Sequence, residues 1–320
     1  MGADQPAAVP MLPRPPRMEA EQVRQVPRRI AAHIRHTPLI PAPAGGFLKL
    51  ECLQPTGSFK VRGFFAAALA IERSELDRGL LTVSAGNAAL ACAYVARELG
   101  VACRVVMPDS ASRAKLEGVG ALGATPLLMP RERMVEWIAS RSWECEPEVF
   151  LHPFADEGVM AGHATLAAEI LDDFPNVERV LLPVGGGGLA SGVAGAFATM
   201  REAVQVVGVQ SDGYPLWQRA FAAGGGVSLM PSTIADGTTA PFDAAMYERL
   251  RSAVAGWVVI PEADLRAAVK RLALEVKITA EGAGALAYAA LGMERSPQNT
   301  VAVISGGNID ATLLATLLTE

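Results

Sequence analysis

A chain of 320 residues with 28 basic and 33 acidic side chains, net charge −5, has no excess of positive charge to draw it to nucleic acid. With 51% hydrophobic residues it can bury one large core or two smaller ones that share an interface, and its apolar stretches are too broken by charge, Gly and Pro to read as membrane spans. Cys52, Cys92, Cys103 and Cys145 form no C-x-x-C pair and no Cys/His zinc spacing, so they read as buried, reduced thiols of a cytoplasmic protein.

Taken in chain order, the first segment is MGADQPAAVPMLPRPPR. It lacks the apolar centre of a signal peptide, and its prolines predict a disordered leader over residues 1–17. In LECLQPTGSFKVRGFF, Pro55 and Gly57 build a turn, and Ser58 is placed to cap a helix that Phe59 begins. LLTVSAG predicts a strand running into a loop, and NAALACAYVARELG a helix closed by Gly100. VACRVVMP, SASRAKLEGVGALG and ATPLLMP continue as strand, helix and strand. A second series begins near residue 175, where VERVLLPVGGGGLASGVAGAFATM predicts strand, glycine loop and helix. VQVVGVQ is a strand, EADLRAAVKRLALEV and GAGALAYAALGM are helices, and TVAVISGGN is a strand. Alternation of apolar strands with helices predicts an α/β fold: two open, twisted parallel-sheet domains covered on both faces, with a cleft between them.

Ligands of such sheets sit at the carboxyl ends of strands, and three polar or glycine-rich loops fall there: SAGN, GGGG and SGGN. Gly185, Gly186, Gly187 and Gly188 lack Cβ atoms, so successive backbone N–H groups can turn toward one anion at a helix N-terminus. No Gly-Lys-Ser/Thr follows, so this is not a P-loop. The next strand ends in Gln210, not in an acid that would take a ribose, so a monophosphate without ribose fits best. Lys60, by its local context, reads as a solvated surface charge. With a phosphate cradle in the same chain, a phosphate-bearing aldehyde becomes the alternative partner. Pyridoxal phosphate, anchored by a lysine Schiff base, is such a molecule.

HTPLI, QPTGSFKVRG, SAGN, PVGGGGL, TIADG, EGAGA and SGGNID stand here in one order from His36 to Asp310. In that order the chain resembles the threonine/serine dehydratase and serine racemase branch of the pyridoxal-phosphate enzymes of tryptophan-synthase-β type (fold type II). The resemblance implies that Lys60 holds the cofactor and then takes the substrate Cα proton. It implies that Gly185 to Gly188 and Leu189 bind the phosphate, that Asn87 reaches the ring oxygen, that Phe59 lies on the ring and that Ser305 faces the pyridine nitrogen. A neutral hydroxyl there weakens the ring as an electron sink and favours prompt loss of a β leaving group. Ser84, Ala85, Gly86, Asn87 and Ala88 become the substrate loop, with N–H groups of Ser84, Gly86 and Asn87 holding the substrate carboxylate. A large cofactor-binding domain from 18–78 and 153–320 and a small substrate-side domain from 79–152 are expected, as is the family's common homodimer. The implied reaction is β-elimination from a β-hydroxy-α-amino acid, giving a 2-oxo acid and ammonia.

The departures lie on the substrate side. Ala88, Ala89 and Leu90 replace the family's His-Ala-Gln, FADE and GHAT replace F-D-D-P and G-Q-G-T, and Pro241 follows TIADG. His163 of GHAT is expected as a structural histidine near the hinge between the domains. Ala85 stands where racemases carry a serine, so it cannot move a proton and elimination is favoured over racemisation. Gln210, Tyr214 and Leu216, with Asp212 unaided, occupy the positions of a divalent-cation site, and no metal is expected there. Arg131 and Arg133 are a solvated charge run or, alternatively, partners of a substrate carboxylate. The chain ends at Glu320, which leaves no expectation of a C-terminal regulatory domain. β-Replacement and amino-acid racemisation with the same cofactor are the competing readings, and a non-catalytic cofactor-binding module is the least favoured.

Overall fold

The computed structural model describes residues 18–320, and the expected leader over 1–17 lies outside the described residues. Helix α1 (Ala20–Ile30) precedes β1 (Leu39–Pro41) and β2 (Phe47–Lys49). Next come α2 (Lys60–Ala68), the single turn α3 (Arg73–Leu76), β3 (Leu80–Val83), α4 (Asn87–Leu99) and β4 (Cys103–Pro108). α5 (Arg113–Ala121), β5 (Thr125–Met129), α6 (Arg131–Ala139) and β6 (Val149–Phe150) follow. The second half runs α7 (Glu157–Asp173), β7 (Arg179–Pro183), α8 (Gly188–Met200), β8 (Gln205–Ser211), α9 (Leu216–Ala223) and α10 (Ala244–Ala253). It closes with β9 (Gly256–Ile260), α11 (Glu262–Arg271), α12 (Gly282–Leu291), β10 (Thr300–Val303) and α13 (Ala311–Thr319). The helix expected over EADLRAAVKRLALEV is α-helical only to Arg271. It widens into a π turn over Leu272–Val276, and Lys277 then turns left-handed at φ 65°.

Two sheets form among the described residues. The larger has the order β1-β2-β10-β7-β8-β9, and the smaller β5-β4-β3-β6. Every strand pairing is parallel except β1 with β2, which is antiparallel because a short turn joins them, whereas parallel neighbours need a long crossover. The apolar strands alternate strictly between two cores. Val180, Leu182, Val301 and Val303 face the layer of α7, α8 and α10, while Leu181, Ala302 and Ile304 face α11 and α12. In the small sheet, Leu80, Val105 and Met107 face α2 and α4, and Leu81, Val83 and Val106 face α6. Strands covered on both faces need apolar residues at every position, which is why no polar alternation marks them.

Residues of α7 enter both the core shared with the large sheet and the core shared with the small one. Helix α2 packs between α4 and α7, so the row α4-α2-α7-α8 joins the two sheets. Its closest crossing rests on missing side chains. A Cβ on Gly162 would stand 2.3 Å from Arg62 O and 2.6 Å from Gly63 Cα, and neither is the tip of a flexible chain. Gly162→Ala must therefore part α2 from α7. A loss of about 1–3 kcal/mol of unfolding free energy is expected, read as a lower urea midpoint at unchanged slope. An unchanged midpoint would show that the crossing yields freely.

Candidate active site

Within each sheet the parallel strands end at one edge, and the loops leaving β3 and β10 meet at the head of α4, where Asn308 Nδ2 donates to Asn87 Oδ1 at 2.7 Å. The turn before Lys60 docks on the loop after β10. Ser58 and Gly306 form an antiparallel bridge, Phe59 N–H donates to Ser305 O at 3.0 Å, and Gly307 N–H donates to Gly57 O at 2.9 Å. This places Lys60 at the first position of α2, its residue half-buried and its amine enclosed. The amine donates to Pro153 O at 2.6 Å and lies 5.1 Å from the centre of the Phe59 ring. Burial pushes its pKa down to about 8, because the enclosed ammonium has lost water and faces no carboxylate that restores it.

Ser58 does not cap this helix. Phe59 takes the cap position in helical conformation, which leaves Ser58 one residue too far back, and its buried hydroxyl has no partner among the described residues.

The residues after Pro153 carry the link to the glycine loop. A Cβ on Gly186 would lie 2.3 Å from the Phe154 ring, and one on Gly188 would lie 2.4 Å from Phe154 O. Gly187 is left-handed at φ 92°, so the run turns sharply into α8. The first N–H groups of α8 have no intrahelical acceptor and face the turn. Leu189 is buried behind them. His152 shapes the adjoining bend, its Nδ1 accepting Phe154 N–H at 3.3 Å and Ala155 N–H at 3.0 Å. Burial pushes its pKa down to about 4, so at neutral pH it is an uncharged acceptor. Sequence reasoning missed His152 and Pro153; the signal available was His-Pro directly after an apolar strand.

On the substrate side the roles divide differently from expectation. Ser84 N–H donates to Val106 O at 3.0 Å and extends the strand ladder, so it is not available to a carboxylate. Gly86 N–H donates to Ser84 Oγ at 3.0 Å. The free donors at this loop are the first-turn N–H groups of α4, from Asn87 and Ala88 onward. Ala88 is buried and Ala85 half-buried. The Asn87 side chain donates to Glu281 Oε1 at 2.6 Å and accepts from Asn308 Nδ2 at 2.7 Å. Burial first, and Asp236 second, push the Glu281 carboxyl up to about 7, against the Asn87 hydrogen bond. Lys115 of α5 reaches Asp236 of the TIADG loop at 3.1 Å, a second tie across the cleft. Glu281 and Asn308 were visible in the sequence only as letters of EGAGA and SGGNID.

Other expected residues stand apart from this cluster or support it. His163 is fully buried on α7, edge-on to Phe59 at 4.8 Å between ring centres, and neither ring nitrogen has a partner among the described residues. Gln210 turns its oxygen to the N–H groups of Trp217 and Gln218 at 3.0 and 3.1 Å, and so caps α9. Asp212 accepts Glu262 N–H, Tyr214 donates to Ala240 O, and Leu216 is buried at the start of α9. No group of three or more His, Cys, Asp or Glu that could hold a metal ion occurs among the described residues. Arg131 and Arg133 are exposed on α6, on the outer face of the small sheet. Pro241 is exposed. Three cysteines are buried, but Cys145 is exposed in a single turn over 142–145, contrary to the expectation for all four.

A family model described as pyridoxal-phosphate dependent enzyme matches residues 30–306. An L-threonine ammonia-lyase of Thermotoga maritima is 36% identical over 281 residues, spanning 86% of this chain and 70% of that protein. An L-threonine dehydratase, catabolic TdcB, of Staphylococcus aureus is 33% identical over 307 residues, 91% of this chain and 89% of that one. Among solved structures, maize serine racemase superposes with a TM-score of 0.86 at 27% identity, covering 94% of this chain and 97% of that one. The processed form of threonine deaminase isoform 2 from Solanum lycopersicum superposes with a TM-score of 0.84 at 28% identity, covering 97% of this chain and 96% of that one.

Proposed function

The chain belongs to the pyridoxal-phosphate dependent enzyme family, and from that premise we propose that it is an ammonia-lyase releasing a 2-oxo acid and ammonia from a β-hydroxy-α-amino acid. The observation that carries this reading is Lys60: an enclosed amine with its pKa lowered to about 8, held in the same cleft as a glycine cradle. Relatives covering most of the chain are threonine ammonia-lyases and dehydratases.

The residues fit the cofactor. Gly185 to Gly188 and Leu189 offer backbone donors at a helix N-terminus, the place where a phosphate is best stabilised. Asn87, Phe59 and Ser305 lie on the loops that converge on the Lys60 end of the cleft. Bound pyridoxal phosphate supplies an aldehyde that joins an amine and a ring that accepts the electron pair left at Cα. Lys60, neutral in a sizeable fraction at physiological pH, is the group placed to take the Cα proton. The N–H groups of Asn87 and Ala88 at the head of α4 orient the substrate carboxylate with the help of the helix dipole. Ser305 offers the ring nitrogen a neutral hydroxyl, and Ala85 offers no proton donor or acceptor on the substrate loop.

A panel of hydroxy amino acids, including threonine, serine, β-aryl serines and hydroxyaspartate, tests the proposal through 2-oxo acid release with no added nucleophile. Product formation that requires an added nucleophile would indicate β-replacement. Racemisation is the second reading, because serine racemase and aspartate racemase structures share the fold; fast interconversion of enantiomers in a chiral assay would establish it against the argument from Ala85. A homodimer in the cytoplasm belongs to the same proposal, resting on the family resemblance and, for the compartment, on free thiols suited to reducing conditions. Light scattering of the purified protein tests the dimer.

The depressed pKa of Lys60 gives a further expectation. Only the neutral amine attacks an aldehyde, and the neutral fraction rises roughly tenfold per pH unit below the pKa and then levels off. Attachment of pyridoxal phosphate to cofactor-free protein should therefore accelerate from about pH 6 and level off above the lowered pKa of about 8. A rate still climbing toward about pH 10 would place the amine in water.

A further inference from the structure

We infer that Asn308 is a positioning residue that fixes the direction of the Asn87 amide, and so makes Asn87 a hydrogen-bond donor toward the cleft. The inference rests on the proposed reading of Asn87 as a cofactor contact and goes beyond it, to what sets its polarity.

One atom of this network has a role that cannot change. Thr56 O is a backbone carbonyl and can only accept. The Asn308 atom 2.8 Å from it must therefore be the amide nitrogen. That nitrogen has a second hydrogen, directed at Asn87 at 2.7 Å, so the Asn87 atom receiving it must be the oxygen. The nitrogen of Asn87 is then turned the other way, to Glu281 Oε1 at 2.6 Å. One of its two hydrogens meets Glu281, and the other is available to an acceptor in the cleft. An oxygen carrying negative charge on a ring is such an acceptor.

The same residue is built into its place. The Asn308 Oδ1 atom stands 2.5 Å from where a Cβ on Gly57 would be, so a side chain at position 57 would displace it. Asn308 thus joins the turn before Lys60, the head of α4 and the loop after β10. It is exposed, so changing it leaves no buried orphan group in the core.

The test is a double-mutant cycle on the holoenzyme, read by the absorption maximum of the bound cofactor and by its release rate. Asn308→Asp keeps the shape and removes the donors. It should let the Asn87 amide reverse, shift the absorption maximum and speed cofactor release about tenfold, the worth of one hydrogen bond to a charged acceptor. In an Asn87→Ala background, Asn308→Asp should add nothing to either readout. If Asn87→Ala alone moves neither readout, the reading of Asn87 as a cofactor contact fails. If Asn87→Ala acts but Asn308→Asp retains its full effect in that background, Asn308 works by another route and the inference is overturned. Asn308→Ala, which removes the amide and leaves no donor in its place, replaces Asn308→Asp in the cycle if the carboxylate variant does not fold.

Discussion

Lys60→Ala is expected to abolish covalent attachment of pyridoxal phosphate and to lower turnover by at least about 10³-fold, the scale of a lost general base in a site that also loses its covalent anchor. Two measurements separate these effects. Borohydride treatment of the native protein should add the cofactor mass to the peptide containing residue 60, and the variant should gain none. The absorption band near the visible edge should vanish as well. The variant should still bind the cofactor reversibly, because the donors of Gly185 to Gly188 and Leu189 lie on other elements and do not depend on the amine. The truncation removes the hydrogen bond to Pro153 O, but that carbonyl lies in a loop beside Phe154 rather than in the core, so the fold should persist. Full covalent loading of the variant at another lysine, with turnover retained, would remove Lys60 from its assigned role.

Arg62→Met is expected to cost about 3–5 kcal/mol of unfolding free energy, the penalty for breaking a fully buried ion pair on one side only. Arg62 lies two residues beyond Lys60, on the opposite side of α2, and is completely buried. Its guanidinium forks onto Glu51 at 2.6 and 2.8 Å and onto Glu169 at 2.7 and 2.8 Å, and it reaches Thr165 Oγ1 at 3.1 Å. Glu51 is also fully buried, so removing Arg62 leaves a carboxylate in the core with only Thr37 and Gln54 as partners. Arg62→Lys should recover part of the loss but not all, because an ammonium cannot present two parallel donors to each acid. Urea unfolding of the two variants measures the difference. Equal stability of Arg62→Met and the native chain would mean the cluster had repacked.

The same cluster sets the acid limb of stability. Burial alone would raise the Glu169 carboxyl, but Arg62 and then Lys49 outweigh it and hold its pKa below the ordinary 4.5. A carboxyl lowered on folding binds fewer protons than in the unfolded chain. Its stabilisation is therefore complete above the ordinary value and is lost as the pH falls through the folded one. Asp173, lowered through Lys49 and His36 against the cost of burial, adds to this limb. In Arg62→Met the Glu169 part of the slope should flatten, which a series of urea midpoints below about pH 5 would show.

Much of this architecture is written in local patterns. Continuous apolar strands alternating with helices predict parallel sheets covered on both faces, and neighbours such as Val180 and Leu181 are indeed buried on opposite sides. Four consecutive glycines before a helix require a close-approach loop, since Phe154 would collide with any side chain at positions 186 and 188. The edge strand β9 and the antiparallel β1-β2 pair escaped; segments of three residues give β1 and β2 no period that separates strand from loop.

The partners of the site residues belong to a different scale. Lys60 meets Pro153 across 93 residues, Asn87 meets Glu281 across 194, and Asn308 meets Thr56 across 252. Periodicity describes which face of an element is apolar; it is silent on which loop end lands beside which other. That depends on strand order and on how closely glycine at 162 lets α2 approach α7. The order of residues along the chain is thus enough for the layered fold, for the glycine loop that opens α8 and for a lysine that stands out once that loop is recognised. It is not enough for the facts that Ser58 bridges to Gly306 instead of capping, that Ser84 gives its N–H to the ladder, and that the Asn308 amide donates to both Thr56 O and Asn87 Oδ1. Those come from the assembled molecule, because a hydrogen bond has a direction, and its direction is fixed by the network around it and not by the residue that makes it.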